Sequence, residues 1–415
     1  MLRGGAVVFG LRLMISGLMF GLQMVIARVL GLSEYGTYAF VMAWVQMLVV
    51  VGKFGVDSAS LRYIAAHHAC GETALLAGFL RWSERLTLFV SGLVGLGLAL
   101  SVPLLVPAER QSLRISFWLG ALLIPVTVAQ AMRLYQLRAV KHIWQSLVTV
   151  AVWPALAAAL ASIVFVLSEG PVSSPLMVMI QFLAIAACWG TATWLRSRSP
   201  LAAVSGVPGD TRKREWLRTS VTFLGVAFVV HLKDQMGVVL AGLLIDTDAA
   251  GIFAIAERFA GVALLGIESL NLFTAPRFAA LHATGQIAAL RQLVHQSRTM
   301  GLAFAIPVSA AVWGASHGLL GLIEPGFQAG GEILVVMLLA AIVRASAGPI
   351  AYALSMSGGE RITLLASILG VAVNLAVSVL LFPWFGLMAL ALAQLLTNVV
   401  WAVYLTSRLK RVLSE

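Results

Sequence analysis

Residues 362–384 read ITLLASILGVAVNLAVSVLLFPW, twenty-three positions without one ionisable side chain. At 1.5 Å per residue such a helix is roughly 35 Å long, enough to cross the hydrocarbon core of a bilayer. Comparable windows lie at about 6–28, 36–56, 86–106, 115–137, 144–167, 175–195, 219–244, 252–274, 299–321, 333–354 and 386–406. With 362–384 they make twelve, so the sequence predicts an all-α polytopic membrane protein of about 12 transmembrane helices. The chain of 415 residues is 60% hydrophobic and only 11% charged, against roughly 25% in a soluble domain. That excludes a soluble enzyme. The connections are too short to hold a folded extramembrane domain.

The formal net charge is +11, yet the longest basic run is Arg212-Lys213-Arg214 and no aromatics interleave with it, so no nucleic-acid partner is expected. The excess instead sorts by side. Taken alternately, one set of connections and ends carries twenty Lys and Arg: Arg3, Arg62, Arg81, Arg85, Arg133, Arg138, Lys141, Arg196, Arg198, Arg212, Lys213, Arg214, Arg218, Arg277, Arg291, Arg298, Arg361, Arg408, Lys410 and Arg411. The other set carries three, Arg28, Arg110 and Arg114. The positive-inside rule then predicts a multi-pass protein of the plasma (inner) membrane with both termini cytoplasmic. The first apolar stretch is too long for a signal-peptide core and contains Arg12, so it reads as a retained helix. Cys70 and Cys188 stand in no metal-binding or redox spacing. No cofactor and no metal are expected.

The order of these elements repeats. Gly36-Thr37-Tyr38-Ala39 returns as Gly251-Ile252-Phe253-Ala254, and Arg62-Tyr63-Ile64-Ala65-Ala66-His67 as Arg277-Phe278-Ala279-Ala280-Leu281-His282, each 215 residues on. An offset of six helices keeps the orientation, which predicts a parallel repeat with the substrate path between the halves. The divisions expected are an N-terminal six-helix bundle (1–195), a basic cytoplasmic linker (196–218) and a C-terminal six-helix bundle (219–415).

Ionisable groups inside spans are expensive and are functional candidates by default. Arg28 and Lys53 lie near helix ends and read as snorkelling to the interface. Helical spacing aligns Arg12, Ser16 and Gln23 in the first helix, and Glu257, Gly261 and Glu268 in the eighth, with Asn271 nearby. His231, Lys233 and Asp234 fall near the middle of the seventh helix, and Arg344 halfway through the tenth, ahead of Pro349. The competing reading is buried ion pairing that locks helices, Lys233 with Glu257 or Arg344 with Asp234. Asn374, Gln394 and Asn398 read as interhelical hydrogen bonds rather than ligands. No catalytic motif is present, so the chain is expected not to be an enzyme, and transport is the remaining class.

Ala27-Arg28-Val29-Leu30-Gly31 running on to Tyr35-Gly36-Thr37-Tyr38, then Phe54-Gly55-Val56 with Arg62, Asp234, Gly251-Ile252-Phe253, Ala256 to Arg258, and Pro383 with Gly386 and Ala389 carry a resemblance. In this order they resemble the polysaccharide-export (Wzx-type) flippases of the multidrug/oligosaccharidyl-lipid/polysaccharide (MOP) exporter superfamily, with Ala389 where a second Gly is commoner. The resemblance implies two six-helix bundles around a central cavity, and export of lipid-linked sugars by alternating access. Peptidoglycan-precursor flippases of the superfamily usually carry two further C-terminal helices, whereas this sequence ends soon after its twelfth.

The expected function is therefore a flippase moving a polyprenyl-pyrophosphate-linked oligosaccharide to the outer leaflet for surface polysaccharide synthesis, driven by an ion gradient. Arg12, Gln23, Lys233, Arg258 and Arg344 are the expected substrate-binding residues, because a diphosphate needs cations and hydrogen-bond donors. Asp234, Glu257 and Glu268 are the expected ion-coupling residues, for a proton or Na+. Membrane lipids and polysaccharide polymerase or assembly proteins complete the expected partners. A cation-coupled multidrug (MATE-like) exporter is the alternative, and it would draw on the three carboxylates.

Overall fold

The computed structural model describes residues 2–412 apart from 141, 169, 171, 205 and 358, and the side chains of these except at 2–13, 143, 168, 272, 273, 276, 317, 360 and 410–412. Its helices are α1 (Leu2–Lys53), α2 (Val56–Ala69), α3 (Thr73–Leu105), α4 (Gln111–Ala139), α5 (Ile143–Ser168), α6 (Ser174–Ser197), α7 (Lys213–Leu244), α8 (Thr247–Val262), α9 (Leu265–Ala283), α10 (Ile287–Ile323), α11 (Gly331–Met356), α12 (Glu360–Phe385) and α13 (Leu387–Val412). There is no strand among the described residues. Among the described residues ten helices are long and apolar enough to cross a membrane, and eleven spans result if the bent pair α8–α9 is one of them. The sequence windows number twelve because α1 holds two, divided at Gly31, whose φ of 73° and ψ of 172° interrupt the helix. The chain is an all-α polytopic membrane protein.

Two compact units emerge, one of residues 29–235 and the other of residues 1–28 with 236–415. The divisions fall inside α1 and α7, not in the polar connection 196–218. The segment 1–28 belongs with the C-terminal helices, and Phe20 meets Phe259 edge to face at 5.3 Å. The polar connection folds onto its own unit, where Leu201, Val204 and Trp216 are buried with Tyr63, Ile64, Leu76 and Phe79. Asp210 N–H donates to the Ala74 carbonyl at 3.1 Å and an Arg81 Nη to that of Val207 at 2.9 Å.

The internal packing of the two units repeats. In residues 29–235, α4 packs on α2, α3 and α6, α2 packs on α3, and α5 on α6. In the other unit, α11 packs on α9, α10 and α13, α9 packs on α10, and α12 on α13. The turns into α3 and α10 share one hydrogen-bond pattern. Glu72 N–H donates to His67 O and Thr73 N–H to Gly71 O, both at 2.9 Å; Gln286 N–H donates to Leu281 O and Ile287 N–H to Gly285 O, also at 2.9 Å. Gly71 and Gly285 have φ of 71° and 67°, the left-handed conformation such a turn needs. The structural offset here is 214, one less than the sequence motifs suggest. Ile64, Leu76 and Leu80 are thereby matched by Phe278, Leu290 and Val294, the equivalent buried core.

Helix ends are held by named groups. Asp246 accepts from Ala249 N–H at 2.8 Å and starts α8, as expected of an N-cap. Glu34 Oε2 accepts from Ser174 N–H at the start of α6 and from Ser112 Oγ in the first turn of α4, so one carboxylate joins α1, α4 and α6.

The break between α1 and α2 is made by Phe54 and Gly55, with φ of 52° and 70°. A Cβ on Gly55 would lie 2.1 Å from Ser220 O and 2.5 Å from Leu224 N, both backbone atoms of α7. Gly55→Ala is therefore expected to lower the melting temperature of the purified protein markedly, since strain of this kind costs about 1–3 kcal/mol before any clash is counted. Gly97→Ala, where nothing lies within 4 Å, supplies the comparison and is expected to melt as the native protein does. Equal melting of the two variants would refute the close approach.

Candidate transport site

In transporters, broken helices leave backbone and polar side chains free to meet a substrate within the bilayer. Here a break occurs in each unit, at Phe54–Gly55 and at Ala263–Leu264, where α8 and α9 bend by 55°. Polar groups concentrate beside both.

At the first break Lys53 Nζ lies 3.0 Å from Asp57 Oδ2, with side-chain exposures of only 13% and 7%. Asp57 Oδ1 also accepts from Ser58 N–H at 2.8 Å. Lys53 thus pairs inside the fold, contrary to the expectation that it snorkels, because the break turns the chain and brings a carboxylate one residue into α2. Sequence reading passed over Asp57, which ends no apolar window; a charged pair at i, i+4 flanking a Phe-Gly break is the signal that could have found it.

A second charged cluster joins α3, α4 and α6. Glu84 Oε1 accepts from an Arg133 Nη, from Gln136 Nε2 at 3.2 Å, and lies 3.4 Å from an Arg196 Nη; the same Arg133 Nη is 3.0 Å from Gln136 Oε1. By sequence alone Arg133 and Arg196 read only as topological charge. The helical burial of Leu76, Phe79, Leu80, Ser83 and Thr87 shows that α3 begins well before its apolar window, which places Glu84 inside it.

The predicted residues divide between the units. Lys233 and Asp234 lie on α7 within residues 29–235, both half-buried; Gln23, Glu257, Arg258, Glu268 and Arg344 belong to the other unit. The side chain of Arg12 lies outside the described residues, but its segment packs with the unit that holds Arg344, so the two are not contributed from opposite halves. Glu257 and Glu268 do not share the face of one straight helix. Ala263 N–H and Leu264 N–H bond back three residues, to Ala260 O at 3.2 Å and Gly261 O at 3.0 Å, and this tightened turn bends the chain between the carboxylates. Glu257 is half-buried, Arg258 and Glu268 are exposed. Lys233, Asp234, Glu257 and Arg344 each engage a partner. His231 Nδ1 is 3.0 Å from the Ala227 carbonyl of its own helix. Asn398 donates from Nδ2 to Ala340 O at 3.0 Å, the interhelical bond expected of it.

A helical chain with these spans, a repeated packing order and charge at its helix breaks is a multi-pass membrane protein. It belongs to the polysaccharide biosynthesis protein family, which matches residues 1–282. No curated protein matches the sequence. The fold is that of the MOP superfamily: an inward-facing multidrug resistance MATE family transporter superposes with a TM-score of 0.82 at 11% identity, covering 98% of both chains. The lipid II flippase MurJ, in an inward closed conformation, gives 0.74 at 13% identity over 97% of this chain and 87% of its own. An outward-facing MATE family transporter gives 0.60 at 13% identity over 98% and 94%. At such identities these likenesses concern the fold.

The repeat supplies a test of the Lys53–Asp57 pair. At the offset of 214 its equivalents are Ile267 and Asn271, an uncharged pair. Breaking one partner of a buried pair costs about 3–5 kcal/mol, whereas replacing both is often nearly neutral. Asp57→Asn is accordingly expected to lower thermal stability more than the double variant Lys53→Ile with Asp57→Asn. A double variant less stable than the single one would mean that the two charges are not coupled.

Proposed function

We propose that this protein is a flippase that carries a polyprenyl-pyrophosphate-linked oligosaccharide from the cytoplasmic to the outer leaflet of the inner membrane, driven by an ion gradient. The observation that carries this reading is the membership of a twelve-window, MOP-fold transporter in the polysaccharide biosynthesis protein family. A lipid-linked diphosphate brings an anionic head, a polar glycan and an apolar tail. The chain offers cations for the first in Lys233, Arg258 and Arg344. Arg344 is the best suited, since its planar guanidinium keeps its charge and can bind phosphate oxygens in bidentate fashion. Gln23 and Arg12 add donors from the first helix. Asp234, Glu257 and Glu268 are the carboxylates available for coupling to a proton or Na+, and polymerase or assembly proteins would receive the product. The multidrug alternative gains nothing from the MATE transporters above, since a shared fold at 11% identity does not carry substrate choice.

Export of surface glycan in cells lacking their own flippase tests the diphosphate role. The expected order is native, then Arg344→Lys, then Arg344→Ala, with equal protein in the membrane. Full export by the Ala variant would leave Arg344 as a packing residue. Glu257→Gln and Glu268→Gln are expected to weaken the dependence of export on the ion gradient, and unchanged dependence in both would remove them from coupling.

The orientation is tested by labelling single cysteines in a background lacking Cys70, the exposed native thiol. Thr211→Cys is expected to react only after permeabilisation and Glu109→Cys in intact cells. The reverse pattern would invert the topology.

A further inference from the structure

The cluster around Glu84 holds more cation than its carboxylate answers. Arg133 and Arg196 each turn a guanidinium nitrogen to the same oxygen, Glu84 Oε1, so two positive charges face one negative. Gln136 adds an amide and no charge. The Nε atoms of both arginines are buried without an acceptor among the described residues. The two side chains are 14% and 19% exposed, so each keeps an open edge. All three charged residues stand at matching ends of the apolar windows 86–106, 115–137 and 175–195, on the side that the charge bias assigns to the cytoplasm.

An apolar groove leads away from this cluster, wholly within residues 29–235. α3 and α6 both pack on α4 but scarcely on one another. On one flank of α4, Trp118 Nε1 donates to Ala99 O of α3 at 3.3 Å, and a Cβ on Gly95 would lie 2.7 Å from Ala121 O. On the other flank, Ser116 bonds to Ser174 and Gln130 Nε2 donates to Cys188 Sγ of α6 at 2.8 Å. Between the flanks runs the stripe Ile115, Leu122, Val126, Ala129 and Arg133, whose helical spacing keeps it on one face. Leu122 on this floor is 59% exposed, and Leu88, one turn beyond Glu84 on α3, is 65% exposed. A Cβ on Gly92, a further turn along, would meet nothing within 4 Å. Trp189 of α6, two turns before Arg196, is also exposed. The groove is therefore open along its length, and the turn Pro200–Val204, packed on both α3 and α6, closes it at the charged end.

We propose that this groove binds an anionic phospholipid of the bilayer, with its phosphate on Arg133 and Arg196 and one acyl chain along the α4 stripe. Basic pockets between membrane helices at the headgroup level suit such lipids, and a guanidinium matches phosphate oxygens in geometry as well as charge. The surplus decides the class. One uncompensated positive charge balances the single negative charge of a phosphodiester, whereas a diphosphate brings at least two and would meet Glu84 as well. The apolar floor running straight to Arg133 selects a lipid over a free anion. The inference stands apart from the flippase reading, and its test needs no transport.

The purified full-length protein, stripped of lipid in detergent, is melted with added phosphatidylglycerol, phosphatidylcholine, inorganic phosphate or a polyprenyl diphosphate, and retention of radiolabelled lipid is measured alongside. Phosphatidylglycerol is expected to raise the melting temperature saturably over phosphatidylcholine, by about two degrees or more, and phosphate alone is expected to give no shift. Arg196→Gln leaves Arg133 and Glu84 as a neutral pair and is expected to raise half-saturation several-fold. Gly92→Phe fills the groove without touching a charge and is expected to do the same, so the test survives if Arg196→Gln fails to fold. Equal shifts with the two phospholipids would overturn the proposal, as would a phosphatidylglycerol response unchanged in either variant. A phosphate response matching that of phosphatidylglycerol would reduce the site to a bare anion contact and refute the lipid. Displacement of phosphatidylglycerol by equimolar polyprenyl diphosphate, lost in Arg196→Gln, would assign the groove to a diphosphate-linked lipid instead and refute the phospholipid.

Discussion

A bilayer offers no water to an exposed peptide group, so every backbone N–H and C=O within it must be satisfied by the chain. That constraint makes the protein helical, and it makes each interruption of a helix costly enough to be confined to a few positions. The interruptions at Gly31, Phe54–Gly55, Ile245–Asp246 and Ala263–Leu264 are therefore the places around which the rest of the structure is organised. Two of them, Phe54–Gly55 and Ala263–Leu264, precede α2 and α9, helices that hold the same place in the packing order of their units, although the breaks do not lie at the offset of 214. It is there that charge and buried amide oxygens collect.

Packing within the bilayer does not rest on the hydrophobic effect, because lipid tails are as apolar as leucine side chains. Small residues and polar links have to join the helices. Gly55 against the α7 backbone, Gly237 against Phe253 and Gly301 against Ile267 are close approaches of this kind. Glu84 draws α3, α4 and α6 together through two guanidiniums and an amide, and Glu34 does so at other ends of α1, α4 and α6. An aqueous-type cluster forms where the polar connection returns to the fold, with Tyr63 donating to Glu215 at 3.1 Å beside the buried Trp216. A polar connection thereby becomes part of a core.

The repeat explains why two units with the same packing order need not do the same work. Some positions that share an offset of 214 share burial, as Ile64 with Phe278, Leu76 with Leu290 and Leu80 with Val294 do, beside the matching turns at Gly71 and Gly285. They need not share charge. Lys53 and Asp57 stand where Ile267 and Asn271 stand, so one unit carries an internal ion pair and the other an unanswered oxygen.

The sequence by itself determined the membrane class, the helical windows and the existence of the repeat, since each depends on composition and spacing alone. It also placed Lys233, Asp234, Glu257 and Arg344 within helices, where the structure finds them half-buried and engaged. Only the tertiary structure decided which charges meet. Asp57 and Glu84 escaped notice because their partners, or the true start of their helix, lie beyond the reach of an apolar window. Glu257 and Glu268 were aligned by the arithmetic of a straight helix that a tightened turn at Ala263–Leu264 bends. The grouping of residues 1–28 with the C-terminal helices was equally illegible, because an apolar helix carries no mark of the partner it packs against: any apolar face can fill a seam of small residues, and the choice is made by the shape of the whole unit.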